Sequence, residues 1–569
     1  MVSVVKLSLT VFTCLCGSIA AKAQVMDNPA YRAETWATGV SGPASFVFVA
    51  PGKMLITERL SGKVTIWNNG IFSGEALDLP VANAGEEGLL GICTDLNFAS
   101  NGHVYVFYSE AATDGGSWIG DRVNRYHWNG STLTFLNTVF STPFDAGQEN
   151  QIYHHGGYIK CGPDGKLYIW TGEIIRGRVN NPRIEQNSNS NNPSGAGAIH
   201  RVNPDGTIPP DNPFAFHPDP RIKAIWLYGV RNGYGMAFDP LTNNLWFTDN
   251  GPDVYDEINL AYPGMNGGWL KIMGPDSRDA SYADNGFQVF NASDLVYLSG
   301  ATYSDPKFSW QRPIGVTSVE FLSSYKFDGP ERYKMLIGDV NLNHIYLFSL
   351  IGANRTEIDY LAGTTDRVAD NPTERDQYRF GRLFGAVTDL RLGPDGLLYV
   401  CDLFNGRILR IRPILEPIAV EGISLIHGIY FSGDLGSLLE SDNNKYIVRA
   451  QKFTNQITPP AQIEFTATSP TATTLDLRVN IESSANDVNI QQRIELFNHI
   501  TQAYELVDAR VLSQTDSTFE ISTSGDDSRF IDASTRQLKA RLTYRQLGPT
   551  FNIVWRAQVD RFWWKVQTQ

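Results

Sequence analysis

The amino-acid sequence predicts an all-β protein with more than one domain. Short apolar runs rich in β-branched residues recur along the chain, and aromatic residues make up 12% of it. Long apolar segments at helical spacing are scarce, and the 51 glycines separate short runs rather than long ones. At 569 residues the chain is too long for one ordinary hydrophobic core.

A turn followed by a short apolar run recurs about six times in the N-terminal two thirds of the chain. The turns contain Pro, Asp, Asn or Gly, and the spacing between copies is irregular. The apolar runs begin at Met54, Val104, Leu167, Leu245, Met335 and Leu398. Such units bury their faces only by stacking radially, which is typical of a β-propeller. We therefore predict a six-bladed β-propeller over residues 30–413.

The repeat stops after Pro413, and the composition changes. Leu415–Pro417 is predicted to be a linker, and Ser, Thr, Asp and Asn become frequent from about Ile423. Apolar residues then alternate with polar ones at Leu475, Leu477, Val479 and Ile481. This period is typical of an antiparallel β-sandwich, which we predict over residues 420–569 as an accessory domain.

The first 23 residues have the features of a signal peptide. Lys6 provides the positive charge, Leu7–Ile19 the apolar core, and Ala21–Ala23 a small-x-small cleavage site. Cys16 leaves a lipoprotein as the alternative, but Leu15 before it is not a small residue. No later stretch is long and apolar enough to predict a membrane span. We expect a secreted, periplasmic or cell-surface protein.

Charge and cysteine content narrow the function classes. The formal net charge is −13 and there is no basic tract, so neither nucleic acid nor an anionic membrane is an expected partner. Once the signal peptide is removed, Cys93, Cys161 and Cys401 remain. An odd number without metal-ligand spacing predicts small buried residues rather than disulfides or a zinc site.

The stretch from His154 to Glu173 is the first candidate for a functional site. A histidine pair precedes Gly156-Gly157, and the turn Pro163–Gly165 separates two apolar runs. Pro and Gly are the residues that such a turn requires, so the runs are predicted to form an antiparallel hairpin. His154 then lies at its mouth beside backbone that a ligand can approach closely. The alternative is a loop histidine with local hydrogen bonds.

Five strings in the predicted propeller resemble the soluble PQQ-dependent glucose/aldose (sorbosone-type) dehydrogenase family, where PQQ is pyrroloquinoline quinone. They occur in the family's order, within roughly residues 35–412. The strings are GEEGLLGI (85–92), HHGGYIKCGPDGKLYI (154–169), RVNPDGTIPPDNPF (201–214), YGVRNGYGMAFDP (228–240) and TDNGPDVYDEINL (248–260). The resemblance implies a secreted six-bladed propeller that oxidises a sugar hydroxyl by hydride transfer to PQQ, with calcium bound.

The resemblance also assigns roles to individual residues. His154 aligns with the base that takes the proton from the sugar hydroxyl, a task that suits histidine near neutral pH. Arg231 and Asn232 align with a pair beside the quinone, where a cation stabilises developing negative charge. Glu86 aligns with a polar residue that contacts the sugar. The alternatives are an arginine that braces a turn and a solvated loop carboxylate.

Calcium is expected on main-chain oxygens. Gly251 and Pro252 align with the family pair whose carbonyl groups bind the ion, and calcium accepts such ligands readily. Asn250 precedes them and offers a further oxygen. Asp256 and Glu257 are candidates for a second calcium, although a solvated loop is the interpretation that we favour for both.

The sequence departs from the family at three cationic positions. Asn341 stands where relatives have a lysine that binds the cofactor's carboxylates, and Ala386 and Thr388 stand where they have arginines. A charged hydrogen bond contributes roughly 1.5–3 kcal/mol, so uncompensated losses would weaken binding strongly. Arg312 lies near a cofactor-facing position and is a candidate replacement. Further candidates are Arg379 and Arg382.

Three functions follow as hypotheses. The first is a secreted quinoprotein sugar dehydrogenase that converts an aldose or related sugar alcohol group to a lactone or carbonyl. The second is a non-redox propeller that binds carbohydrate or another ligand and has lost its cofactor affinity, which the missing cations favour. The third is a calcium-dependent hydrolase, but the repeats do not align the inward carboxylates that it would need.

Overall fold

The structure is a computed structural model that describes residues 24–143, 151–174, 183–278, 289–454, 457–548 and 554–568. The predicted signal peptide, 1–23, lies outside these residues. The protein is all-β, as the sequence predicts. None of the helices within the described ranges has the length and apolar character needed to cross a membrane.

Six β-sheets follow one another between Val25 and Pro413. The first contains Pro43–Ala50, Lys53–Glu58, Lys63–Asn68 and Ile71–Asp78. The second contains Leu89–Thr94, His103–Ala111, Trp118–Trp128 and Leu133–Pro143. The third contains Gly156–Cys161, Leu167–Thr171, Ala198–Val202, Ile225–Tyr228, Met265–Asn266 and Thr302–Tyr303. The remaining three have the same meander at their centre.

The fourth sheet contains Met236–Phe238, Leu245–Asp249, Asp256–Leu260, Phe308–Trp310 and Val368–Ala369. The fifth contains Val316–Phe321, Met335–Asp339, His344–Phe348, Arg379–Arg382 and Val25–Met26. The sixth contains Val387–Leu392, Leu398–Asp402, Arg407–Pro413 and Tyr31–Thr38. A separate two-stranded sheet pairs Leu350–Ile351 with Glu357–Ile358.

The first strands of the six sheets form a closed ring. Each contacts the first strand of the next sheet, and Val387–Leu392 of the sixth contacts Pro43–Ala50 of the first. Apolar clusters fill the spaces between neighbouring sheets, and consecutive residues such as Leu55 and Ile56 are both fully buried. Burial on both faces explains why the strands appear in the sequence as continuous apolar runs. The N-terminal strand Tyr31–Thr38 completes the sixth sheet beside Arg407–Pro413.

Two further antiparallel sheets follow and share one apolar core. One contains Leu415–Ala419, Ile429–Ser432, Tyr446–Arg449, Leu477–Ala485, Ser517–Ser522 and Arg556–Gln567. The other contains Gly422–His427, Ala461–Thr468, Ile490–Asn498, Ala503–Val511 and Gln537–Gln546. Alternate residues of the strands enter the shared core, which is why the sequence shows a period of two here.

The predicted linker Leu415–Pro417 is instead the start of a strand. Leu415 pairs with Gln567 of the last long strand. Glu416 is buried and accepts hydrogen bonds from Lys326 Nζ at 2.7 Å and Arg412 Nε at 3.0 Å. These cations compensate the buried carboxylate and attach the C-terminal sheets to the ring. The sequence alone cannot show this, because Lys326 is distant along the chain.

Helices are short throughout the described residues. The α-helices are Phe98–Asn101, Pro220–Lys223 and Pro372–Asp376. The 3₁₀ helices are Ile184–Gln186, Asp276–Arg278, Ala292–Asp294, Tyr325–Phe327, Gly436–Leu438 and Asp527–Phe530. All three predicted mature cysteines are free, with Cys93 and Cys401 buried and Cys161 half-buried.

Candidate active site

A cavity of about 520 Å³ opens where the first strands of the third to sixth sheets begin. It is lined by Glu86, Tyr153, His154, Arg231, Asn232, Tyr234, Asn250, Gly251, Pro252, Asp256, Pro313, Gly315, Val316, Thr317, Val340, Asn341, Thr388, Leu403 and Phe404. Eight of the nine residues predicted from the sequence as site residues are therefore in one cavity. The exception is Arg312.

The predicted hairpin positions His154. Gly156–Cys161 pairs antiparallel with Leu167–Thr171, as the turn chemistry predicts. His154 itself is in the left-handed region, at φ 64°, which is uncommon for a residue with a side chain. Gly172 lies against it, since a Cβ there would be 2.1 Å from the His154 carbonyl oxygen. Backbone of this kind persists only where the surroundings hold it, as they do at functional sites.

The His154 side chain is buried between a carboxylate and a guanidinium. Its Nδ1 lies 2.9 Å from Glu173 Oε1, and its Nε2 lies 3.1 Å from Arg231 Nη2. Arginine only donates hydrogen bonds, so Nε2 must be the acceptor and must carry no proton. The proton of the neutral ring is then on Nδ1, which donates to Glu173. This tautomer leaves the basic nitrogen directed towards the cavity.

Arg231 is held by several groups at once. Its Nη1 donates to the Asn250 carbonyl oxygen at 2.9 Å, and its guanidinium lies 5.4 Å from the centre of the Trp269 ring. Its backbone N–H donates to Asp249 Oδ2 at 2.8 Å. Its Nε is buried without a hydrogen-bond partner among the described residues, although Glu173 Oε1 is 3.9 Å away. The guanidinium is thus fixed in the cavity wall with donor capacity to spare.

Glu173 lies behind His154 and is almost fully buried. Its Oε2 accepts a hydrogen bond from Trp269 Nε1, so its two oxygens have different partners. Burial raises the pKa of Glu173 well above its ordinary value, and the Arg231 charge and the Trp269 bond oppose this shift. Ionised Glu173 favours a proton on Nδ1 and a positive charge on the ring.

Glu86 is a fixed acceptor in the cavity wall. Its Oε2 accepts from the His154 backbone N–H at 2.8 Å, Asn232 Nδ2 at 3.0 Å and the Tyr234 hydroxyl at 3.2 Å. Asn232 Oδ1 in turn accepts from the Gly156 N–H at 3.2 Å. Three donors on one oxygen hold the carboxylate in place and leave its second oxygen for other partners.

Gly251, Pro252 and Asn250 also line the cavity. The Asn250 side chain is committed to backbone, because its Nδ2 donates to the Asn232 and Val316 carbonyl oxygens at 2.9 and 2.8 Å. The Gly251 N–H donates to Asp256 Oδ1 at 2.9 Å. Main-chain oxygens at this turn are therefore the ligands that it offers to a hard cation.

Asp256 and Glu257 are not on a solvated loop, as the sequence analysis favoured, but on the buried strand Asp256–Leu260. Asp256 Oδ2 accepts from the N–H groups of Ile314, Gly315 and Val316. Glu257 accepts from Gly274 N at 2.6 Å and Asn259 Nδ2 at 2.8 Å. Burial, and then the Asp249 charge, raise the pKa of Glu257 to about 8. Both carboxylates brace backbone.

The structure shows where the three positions at which the sequence lacks the cations expected from the resemblance lie, and where the candidate replacements lie. Asn341 and Thr388 line the cavity, and Ala386 is buried. Arg312 is exposed and lines a separate surface pocket with Asp253 and Arg375. The other two candidates are also elsewhere: Arg379 is paired with Asp27 and Asp376, and Arg382 is exposed. Arg231 is the one lysine or arginine among the described residues that line the cavity.

Sequence reasoning named Glu173 but gave it no role, and it missed Asp249 and Trp269. The hairpin contained a signal for Glu173. The register that pairs Gly156 with Thr171 places His154 opposite Glu173, just beyond the strands. Trp269 had no such signal, because it lies after the strand Met265–Asn266, 96 positions from Glu173 in the sequence. His155, the second histidine of the pair, is buried with Nδ1 3.1 Å from Asp121 Oδ2.

Comparisons with known proteins identify the family. The sequence profile of the Glucose/Sorbosone dehydrogenase family matches residues 40–410. Aldose sugar dehydrogenase YliI of Escherichia coli is 30% identical over 368 residues, 63% of this chain and 86% of that protein. Quinoprotein glucose dehydrogenase B of Acinetobacter calcoaceticus is 29% identical over 265 residues, 43% of this chain and 54% of that protein.

The solved structures show the same relationship. The apo form of the soluble aldose sugar dehydrogenase from Escherichia coli superposes with a TM-score of 0.50 and 26% identity, covering 67% of this chain and 99% of that one. The residues that the family profile matches, 40–410, include all those that line the cavity. The chain belongs to the glucose/sorbosone dehydrogenase family.

Proposed function

We propose that this chain is a secreted quinoprotein that oxidises an aldose or a related sugar alcohol group to a lactone or carbonyl, with His154 as the base. One observation carries the proposal. His154 lines the cavity with a carboxylate at Nδ1 and a guanidinium at Nε2, both within hydrogen-bond distance. Its Nε2 carries no proton and can therefore accept one. Oxidation removes a proton from the sugar hydroxyl and a hydride from the carbon that bears it, and the proton needs such a base.

The proposed architecture is a six-bladed propeller over residues 30–413 and a β-sandwich over residues 420–569. The closed ring of first strands supports the first part, since closure is what radial stacking of blades produces. Two antiparallel sheets with a common core support the second part. We assign the sandwich an accessory role, because the residues that line the cavity all precede it.

The proton leaves the sugar hydroxyl for His154 Nε2. Arg231 Nη2 donates to that nitrogen in the structure, so this hydrogen bond must break when a sugar hydroxyl donates there instead. Glu173 accepts the hydrogen bond from Nδ1–H throughout and stabilises the imidazolium that forms. Arg231 Nη2, released from His154, stabilises negative charge that develops on an oxygen in the cavity. Glu86 offers its second oxygen to a sugar hydroxyl.

The cavity residues fit PQQ and calcium, with neutral donors in place of cations. A volume of about 520 Å³ is within the ~300–1,000 Å³ usual for cofactor sites. Arg231, Asn232 and Asn341 would hold the quinone, and the carbonyl groups of Gly251 and Pro252 would hold calcium beside Asn250. When bound, PQQ would supply the two-electron acceptor that no side chain provides.

The test is reconstitution of the mature protein with PQQ and calcium, followed by aldose-dependent reduction of a dye. We expect activity with at least one aldose and its loss in His154→Ala, because no other described residue replaces Nε2. A folded protein that binds PQQ but oxidises no aldose would overturn the proposal.

Asn341 and Thr388 support a second candidate, a propeller that binds ligands without redox chemistry. Calorimetry separates the two, since this candidate predicts no heat at micromolar PQQ with calcium. Binding heat that depends on Arg231 would instead support the quinoprotein. The expected partner in either case is a small sugar, which the Glu86 carboxylate can recognise through hydroxyl groups.

A further inference from the structure

A cluster of three carboxylates lies in the C-terminal sheets, away from the cavity. One carboxylate oxygen from each residue takes part, and these three atoms lie within 4.8 Å of one another; the residues are Glu482, Asp516 and Asp560. Glu482 is on the strand Leu477–Ala485 and Asp560 on the neighbouring Arg556–Gln567. A register shift opposite Glu482 and Ser483 leaves Asp560 as the extra residue of a β-bulge, which turns its side chain towards Glu482.

Two of these carboxylates are buried and incompletely satisfied. Glu482 is 9% exposed and Asp560 is 1% exposed. Glu482 Oε2 and Asp560 Oδ1 have no hydrogen-bond partner within the described part of the chain. Buried carboxylate oxygens without partners are costly, and proximity of like charges adds to that cost. The cluster is therefore short of positive charge or of donors.

The neighbouring groups do not supply what is missing. Lys445 Nζ lies 2.6 Å from Asp516 Oδ2, and Ser484 Oγ donates to Asp516 Oδ1 at 2.7 Å, so these two satisfy Asp516 alone. The Asn443 N–H donates to Asp560 Oδ2 at 3.1 Å. Arg561, opposite Glu482 in the ladder, has its guanidinium over the Trp563 ring and forms no ion pair with the cluster in the described structure.

We propose that Glu482, Asp516 and Asp560 form a calcium site in the C-terminal domain. The donors are all oxygens, which favours a hard cation. Calcium binds oxygen at about 2.3–2.6 Å, so oxygens on opposite sides of the ion are about 5 Å apart, and the spacing of this cluster is compatible with one calcium ion. Magnesium binds at about 2.0–2.1 Å and requires a tighter set. The ion stabilises the bulge between two strands of the sheet.

The site is tested by counting bound calcium in the full mature chain by equilibrium dialysis. We expect Asp560→Asn and Glu482→Gln each to bind one calcium fewer per chain than the parent. The control is Glu421→Gln, which removes an exposed carboxylate of the same domain that accepts from Thr468. Its calcium count should equal the parent's. Equal counts in all four proteins would overturn the proposal.

Thermal unfolding provides a second readout that does not depend on the count. Without metal, Asp560→Asn relieves repulsion, so its Tm in chelator should equal or exceed the parent's. With calcium the order should reverse, because a ligand that binds the folded state raises Tm only where its site is intact. The same order of Tm values in chelator and in calcium would contradict a metal site, as would an equal response to magnesium alone.

Discussion

Glu173→Gln is the sharpest test of how His154 is held. Glu173 accepts at both oxygens, from His154 Nδ1 and from Trp269 Nε1. Glutamine has one acceptor oxygen, so one bond must be lost. If the amide NH₂ faces His154, the ring must carry its proton on Nε2, where it meets the Arg231 donor. Either orientation removes the charge that stabilises the imidazolium.

The expected loss follows from the bond to a charged group. Such a bond contributes roughly 1.5–3 kcal/mol, which corresponds to an about 10- to 150-fold decrease in kcat/KM. The assay is dye reduction by the PQQ- and calcium-loaded enzyme at saturating cofactor. The control is Trp269→Phe, which keeps an aromatic ring near Arg231 and removes only the donor to Oε2, so its loss should be smaller.

The pH profile adds a signature that a structural role would not produce. Burial raises the pKa of Glu173, so as pH falls the carboxylate takes up a proton earlier than an ordinary glutamate and the acceptor for Nδ1–H is lost. The kcat/KM of the parent should therefore decline at acid pH, and the apparent pKa values of that decline belong to the His154–Glu173 pair. In Glu173→Gln, the part of this decline that is due to the carboxylate should be absent. A variant within about twofold of the parent at every pH would refute the reasoning.

Three other changes have defined outcomes. Asn341→Lys should tighten PQQ binding about 10- to 150-fold, because it adds one charged hydrogen bond. Calorimetry measures the affinity, and an unchanged value would mean that position 341 does not face the cofactor. Glu257 has a pKa of about 8 in the fold against 4.5 ordinarily, so stability should fall as pH rises between these values, by roughly 1.4 kcal/mol per unit. Denaturant unfolding should show that Glu257→Gln removes the slope, and a slope that persists would exclude Glu257 as its source. Lys326→Met should destabilise the protein by about 1–3 kcal/mol, because Glu416 then keeps only Arg412. Lys63→Met, which removes a more exposed pair with Glu75, is the comparison and should cost less.

Several features follow from local chemistry, and the sequence predicts them. The hairpin at His154 forms because Pro163–Gly165 is a favourable turn between two apolar runs. The repeated units and the alternating C-terminal strands follow from hydrophobic periodicity in the same way. The sequence also predicts the missing positive charge at Asn341 and Thr388, since that depends only on residue type.

Other features depend on contacts between distant segments, and only the tertiary structure decided them. His154 and Arg231 are 77 positions apart and meet because two sheets stack side by side. Arg312 has the right charge but lies in another pocket. The sequence favours a loop for Asp256, whereas in the structure it is buried and accepts from backbone N–H groups. Turn type and periodicity act over a few residues, so a sequence can predict them. Burial, hydrogen-bond partners and pKa shifts arise from what surrounds a residue in space, which is why the site was complete only in the folded chain.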